Sequence, residues 1–123
     1  MDKLIAYITT LLQEIHSETY YSKNNSGKVT YPYCTFDIDT SFEEDRNQET
    51  VSIDLDIFDL NPSYENIFMI ETKIKQELAY KRDLNEYFGA NWKYVRANNI
   101  PTSQDELLRR SLQLEITIDW RKL

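Results

Sequence analysis

The stretch from Val51 to Asp59, VSIDLDIFD, constrains the fold more than any other part of the chain because apolar and polar residues alternate along it. Successive side chains of a β-strand point to opposite faces of its sheet. Ile53 and Leu55 therefore face a core, whereas Asp54 and Asp56 face water. The pattern predicts a strand in a sheet with one covered face and one open face.

The same alternation returns near the end of the chain in LQLEITIDW, residues 112–120, where Glu115 and Asp119 fall on the polar side. Two further segments, KVTYPYCTFDI at 28–38 and WKYVRA at 92–97, are rich in β-branched and aromatic residues and predict two more strands. We expect the acidic connection at 39–49 to be a long, mobile hairpin loop. Ser103–Glu106 forms a capping-box pattern that favours a short helical turn.

Two segments have helical periodicity. Apolar residues from Leu4 to Ile15 recur at spacings of three and four, and a second such stripe runs from Ile67 to Leu78 after the cap-like sequence Asn61-Pro62-Ser63. The predicted order is α-β-β-α-β-β. We therefore expect one α+β domain spanning 1–123, in which two helices cover one face of a four-stranded antiparallel sheet.

Composition excludes several classes of function. The net charge of −7 disfavours binding to nucleic acid or to an anionic membrane. The N-terminal helix is interrupted by polar residues and is typical of neither a signal peptide nor a membrane span. The chain has one cysteine, so an internal disulfide is not expected, and life in the cytoplasm is the simplest interpretation.

Known catalytic and metal-binding patterns do not fit the sequence. A calcium loop counted from Asp54 fails at Phe58 and Asp59, where an oxygen ligand and a glycine are required. His16 has no serine elbow to serve, and Cys34 lies in a strand without a neighbouring base. Carboxylates on an open sheet face share one environment, which does not separate their pKa values for acid/base work. We predict no catalytic, cofactor or metal site.

The layout resembles the tail terminator and minor tail proteins of long-tailed phages and prophages. The matching parts are the N-terminal helix, a strand entered through Tyr31-Pro32-Tyr33, a polar loop and the alternating strand VSIDLDIFD. They continue with a helix after Asn61-Pro62 and a closing strand that follows ELLRR, residues 106–110, and ends in ITIDW. The resemblance covers nearly the whole chain.

The resemblance implies a non-enzymatic structural protein that forms a homo-oligomeric ring, commonly a hexamer, at the head-proximal end of the tail tube. Its partners would be further copies of itself, the tail tube protein and a head connector or completion protein, in a virion assembled from chains made in the bacterial cytoplasm. The alternatives are a small metal-dependent or acid/base enzyme using the acidic face, and a free-standing host adaptor module.

Two groups of residues are candidates for a role in such an assembly. A ring subunit needs two different contact patches, and we expect them in the segments 39–49 and 98–110. An acidic wall would let DNA pass without holding it, and alternation leaves these acids available either to a channel or to the outer surface. The interface candidates are Phe42, Glu43, Glu44, Asp45, Arg46, Arg109 and Arg110, and the candidate channel residues are Asp54, Asp56, Glu115 and Asp119.

Overall fold

The computed structural model describes residues 2–45 and 48–121, without the side chains of 40–45. It contains two helices and six strands. The helices are α1 (Asp2–Ile15) and α2 (Glu65–Leu78). The strands are β1 (Thr19–Tyr21), β2 (Tyr33–Asp45), β3 (Gln48–Leu60), β4 (Arg82–Leu84), β5 (Phe88–Asn99) and β6 (Leu107–Trp120).

The six strands form one mixed sheet in the order β1-β2-β3-β6-β5-β4. β1 runs parallel to β2, and the other neighbours are antiparallel. The expected four-stranded antiparallel sheet with α-β-β-α-β-β order is therefore wrong. The two missed strands have three residues each, which is too short for an alternating pattern to stand out from a loop.

The strands are also longer than expected. β2 and β3 continue through the segment expected to be a loop, so that Glu43 pairs with Glu49 and Asp45 with Gln48. The expected helical turn at Ser103–Glu106 is instead an irregular turn, in which the Leu107 backbone N donates to the Gln104 carbonyl oxygen at 3.2 Å. In both places extended cross-strand pairing outweighs weak local preferences.

The core lies between the sheet and the helices, which both cover the same face. Its centre is the β3–β6 pair, in which Ile53 lies opposite Leu114 and Leu55 opposite Leu112. Helix α1 buries Leu4, Ile8, Leu12 and Ile15, and α2 buries Ile67, Ile70, Ile74 and Leu78. These positions include the whole predicted stripe of α2 and four residues of the predicted stripe of α1, whose other two, Ile5 and Leu11, are partly buried against the same core. Helix α2 begins at Glu65, later than the Asn61 cap predicts, because the Asn61 side chain accepts a hydrogen bond from the Ser63 backbone N at 3.1 Å.

Both edges of the sheet are only partly covered. β1 pairs with Cys34–Phe36 of β2, and β4 pairs with Gly89–Asn91 of β5. Within the part of the chain that the structure describes, no strand pairs with the outer side of β2 after Phe36 or of β5 after Trp92. The exposed stretch of β2 contains two register shifts, between Ile38 and Thr40 and between Glu43 and Asp45, and that of β5 contains one between Tyr94 and Arg96.

Truncating the central core side chains should destabilise the fold strongly. Leu55 and Ile116 are fully buried, so Leu55→Ala and Ile116→Ala should each lower the free energy of unfolding by about 2–5 kcal/mol. Asp119 is exposed on the other face, and Asp119→Asn should change it by less than about 0.5 kcal/mol. Urea denaturation of the three variants measures these differences, and a larger effect of Asp119→Asn would contradict the assigned faces.

Candidate functional site

The sheet face without helices, called the open face below, carries a row of polar side chains across four strands. Arg96 of β5 pairs with Gln113 of β6, Gln113 pairs with Asp54 of β3, and Asp54 pairs with Asp37 of β2. The row therefore begins with a cation at the β5 edge and ends with two adjacent carboxylates at the β2 edge. Like charges directly opposite each other in a sheet are destabilising.

Asp54 lies in the most acidic part of this face. Partial burial, followed by the negative charges of Asp39, Asp56 and Asp37, raises the pKa of Asp54 above its ordinary value, and Arg96 opposes the shift. An open sheet face is expected to give its carboxylates one shared environment. Asp54 and Asp56 instead differ, because Asp56 has an arginine partner.

Asp56 forms an ion pair with Arg109, with 2.8 Å between Oδ2 and Nη2. The guanidinium of Arg109 also lies 5.4 Å from the centre of the Phe58 ring, and Phe58 stacks on Tyr33 at 4.9 Å. The other carboxylate oxygen of Asp56 and Nε of Arg109 are buried without a hydrogen-bond partner among the described residues. This end of the open face is thus an aromatic and ionic cluster across three strands.

The four acidic residues proposed for a channel share the open face but do not form one cluster. Asp54 and Asp56 are successive open-face residues of β3. Glu115 of β6 lies opposite Ser52, which is two residues before Asp54 on β3. Asp119 lies opposite Gln48 at the far end of the β3–β6 pair.

The interface candidates divide between the two faces. Arg109 is on the open face, and Arg110 is on the helix face. The backbone of Phe42, Glu43, Glu44 and Asp45 forms the end of β2. The side chains of those four residues, and all of Arg46, lie outside the described residues.

Arg110 connects α2 to the sheet. Its Nε donates to both carboxylate oxygens of Glu71, at 2.9 and 3.1 Å, and its Nη1 donates to Oδ1 of Asn99 at 2.8 Å. Tyr94 donates to the same Glu71 carboxylate at 3.3 Å, and Glu71 is 6% exposed. The guanidinium also lies 5.2 Å from the centre of the Phe68 ring. Arg110 is therefore committed to contacts within the chain.

Cys34 and His16 have structural surroundings. Burial raises the pKa of the Cys34 thiol to about 12, which keeps it protonated and unreactive. The Nε2 atom of His16 lies 2.7 Å from the Pro32 carbonyl oxygen, at the entrance to β2. Among the described residues no three His, Cys, Asp or Glu side chains converge as metal ligands do. Neither helix of the described chain has the length and apolarity needed to cross a membrane.

Four charged residues were not assigned to the open face from the sequence, although one of them, Asp39, begins the segment 39–49 in which a subunit contact is expected. Asp37 and Asp39 are exposed on β2, and Lys93 and Arg96 are exposed on β5. Asp37 and Asp39 continue the acidic alternation in FDID, residues 36–39, which is the signal that could have identified them. Their proximity to Asp54 could not be derived without the strand order, because it depends on register.

Comparison with solved structures gives a match at the level of the fold. The chain is similar to a chain in the virion of a native gene transfer agent particle, with a TM-score of 0.66 and 10% sequence identity. The match covers 88% of this chain and 84% of the other. No protein-family model and no curated protein sequence matches the chain. The two chains thus share a fold over almost their whole lengths.

Removing Arg110 should destabilise the protein because it leaves the buried Glu71 carboxylate without its cation. Breaking a buried ion pair costs about 3–5 kcal/mol, and Arg110→Ala should lower the free energy of unfolding by that amount. Lys93→Ala, at an exposed position, should change it by less than about 0.5 kcal/mol. Denaturation of both variants tests the difference, and equal effects would mean that Arg110 does not hold α2 to the sheet.

Neutralising Asp54 should stabilise the protein at neutral pH. Because its pKa is raised in the folded state, the folded chain binds this proton more tightly than the unfolded chain, and the carboxylate lowers the unfolding free energy as pH rises through the folded pKa. Asp54→Asn should therefore be more stable than the natural chain at pH 7, and the gain should disappear on acidification. Denaturation at a series of pH values measures it; a loss of stability at pH 7 would contradict the electrostatic picture.

Proposed function

We propose that this chain is a non-enzymatic structural component of the virion of a phage or phage-like particle. The observation that carries the proposal is the fold shared with a gene transfer agent virion chain over 88% of this chain. An assembly subunit needs a stable core and exposed surfaces for its neighbours. The continuous core between sheet and helices and the partly uncovered sheet edges fit that requirement.

Within such a particle, the role that the sequence pattern supports best is a ring at the head-proximal end of the tail. The ring would end the tail tube and join it to a head connector or completion protein. It would be homo-oligomeric, with a hexamer as the expected size, and would assemble from chains made in the bacterial cytoplasm. The support is the resemblance of the two helices and the long alternating strands to those of tail terminators, together with the fold shared with a virion chain.

The open face is the surface that we assign to the channel of this ring. The helices occupy the other face, so a ring with the helices outside presents the four candidate acids of the open face to its lumen. They are Asp54, Asp56, Glu115 and Asp119. Carboxylates repel phosphate, so the genome would pass without being bound. An enzyme using these acids would need them to line a cavity. They line neither the groove of about 650 Å³ between α1 and the turn from β4 to β5 nor the cleft of about 620 Å³ beside β5.

Reversing the charge of the open face should convert a non-binding ring into one that binds DNA. The variant replaces Asp54, Glu115 and Asp119 with Lys and retains Asp56, which is paired with Arg109. Its rings should bind duplex DNA with an affinity that falls steeply with salt. The matched variant with Asn, Gln and Asn at these positions separates loss of negative charge from gain of positive charge.

Native mass spectrometry and electron microscopy, with and without tail tubes, give the state of assembly, and gel shift at two salt concentrations gives DNA binding. Closed rings that seat on tube ends would support the terminator role. A protein that stays monomeric at high concentration and does not bind tubes would contradict that role. Rings of the Lys variant that do not bind DNA at low salt would place these residues outside the channel.

A further inference from the structure

The two incompletely covered edges of the sheet carry opposite charges on the same face. Asp37 and Asp39 are exposed on the edge of β2 that continues beyond β1. Lys93 and Arg96 are exposed on the edge of β5 that continues beyond β4. An edge strand offers a row of backbone donors and acceptors, and natural proteins usually block long edges with charge, bulges or covering segments. Here each edge is complementary in charge to the other.

Strand direction makes the same two edges compatible. β2 and β5 lie at opposite ends of the series β2-β3-β6-β5, whose neighbours are all antiparallel, so β2 and β5 run in opposite directions. If a second copy is placed beside the first by translation within the sheet, its β5 edge meets the β2 edge of the first copy in antiparallel orientation. The open faces of both copies then lie on the same side.

We propose that copies of this chain join head to tail by pairing the β2 edge after Phe36 with the β5 edge after Trp92 of the next copy, which extends one sheet through successive copies. The contact unites the acidic β2 edge with the basic β5 edge, and the backbone hydrogen bonds supply a ladder. This contact would be the surface that closes the ring of the proposed function. Closure into a ring rests on the proposed function, whereas the pairing of the two edges does not.

The positions of the exposed stretches also predict how successive copies are offset. Asp37 and Arg96 lie in the same row across the sheet. From that row the exposed part of β2 runs toward Asp45, at the end of the sheet where β6 finishes at Trp120. The exposed part of β5 runs the opposite way, toward Asn99, which pairs with Arg110. Full pairing therefore requires the next copy to slide along the strands by about four residues, or about 13 Å.

This offset matches the geometry of a closed barrel. Each copy contributes the four strands β2, β3, β6 and β5, so a slide of about four residues per copy equals a shear of about one residue per strand. An eight-stranded barrel with a shear of eight has the same ratio of shear to strand number, and its strands tilt by about 36°. The slide also leaves room for the short edge strands. β1 would lie beyond the Asn99 end of the incoming β5, and β4 of the incoming copy would lie beyond the Asp45 end of β2, so both would limit the register.

A cleft beside the β5 edge fits an acidic strand. Its volume is about 620 Å³, and its lining includes Lys75, Tyr80, Lys93 and Tyr94. The ammonium of Lys75 lies 4.7 Å from the centre of the Tyr94 ring, and Tyr80 is 90% exposed. The β2 sequence from Asp37 to Asp45 contains five acidic residues and no basic residue. Two cations and two aromatic rings thus flank the edge at which this strand would arrive.

Cross-linking of two single-substitution variants tests the pairing. Asp39→Cys places a thiol on the β2 edge and Asn98→Cys places one on the β5 edge, and the slide of about four residues brings these two positions opposite each other. A flexible bismaleimide tolerates a remaining offset of a residue or two. The natural Cys34 is buried and protonated, so the unsubstituted protein is the control for background reaction. Head-to-tail pairing predicts a cross-linked dimer when the variants are mixed and none when either is treated alone.

Three results would overturn the proposal: each variant cross-linking with itself, which indicates a two-fold contact, no cross-link in the mixture, or a mixture that remains monomeric. Electron microscopy of the same samples separates the two levels of inference. Rings without the cross-link would refute the edge pairing and leave the terminator role intact. Cross-linked open fibres would support the edge pairing and contradict the ring.

Exchange of charge gives an independent measurement. Lys93→Glu with Arg96→Glu should reduce association at least tenfold, and Asp39→Lys with Asp45→Lys should do the same, because the slide of about four residues places Lys93 opposite Asp45 and places Arg96 between Asp39 and Asp45. Each doubly substituted chain alone carries like charges on its two edges. Mixing the two chains pairs the acidic β5 edge of one with the basic β2 edge of the other, and the natural β2 edge of the first with the natural β5 edge of the second, so the mixture should recover association. One chain carrying all four changes has complementary edges again and should also recover association. Failure of the fourfold variant to recover, while it unfolds at the same denaturant concentration as the natural chain, would overturn the proposal.

Discussion

The pairing of β3 with β6 is the constraint on which the rest of the structure depends. The two strands pair without a register shift from Gln48 opposite Asp119 to Leu60 opposite Leu107. This single register places Ile53 against Leu114 on the helix face and Asp54 beside Gln113 on the open face. A slip of one residue would exchange the two faces and bury the carboxylates. The hydrophobic alternation of both strands therefore specifies the core and the acidic surface together.

The parts of the fold that were predictable from sequence are those with a long period. The stripes of α1 and α2 and the alternation of Val51–Asp59 repeat often enough to identify most of the buried apolar side chains. The exceptions are Ile5 and Leu11, which are partly buried, and Ser52, which is buried although alternation places it on the polar side. The short strands β1 and β4 have no period to detect, and they form because β2 and β5 offer neighbouring edges. The extended hairpin was missed because its acidic residues favour a loop locally, whereas pairing with the neighbouring strand favours β-structure.

The sequence predicted acidic residues of the open face, but it did not predict which side chains lie next to them. Alternation identified Asp54 and Asp56 as open-face residues, but it gave no information about cross-strand neighbours. Those neighbours make the two carboxylates different, since Asp56 has Arg109 and Asp54 has Asp37. In the same way, Arg109 and Arg110 are adjacent in sequence and point to opposite faces, so one contributes to the open face and the other holds α2.

The burial of Cys34 makes this thiol a reporter of local opening at one sheet edge. Cys34 is 1% exposed and pairs in register with Thr19, whose strand covers only three residues of β2. Alkylation requires a thiolate in contact with solvent, so modification can proceed only through states in which β1 has detached or the domain has unfolded. When closing is faster than alkylation, the labelling rate measures the equilibrium fraction of those open states. One natural side chain thus reports local opening next to the edge at which copies would meet.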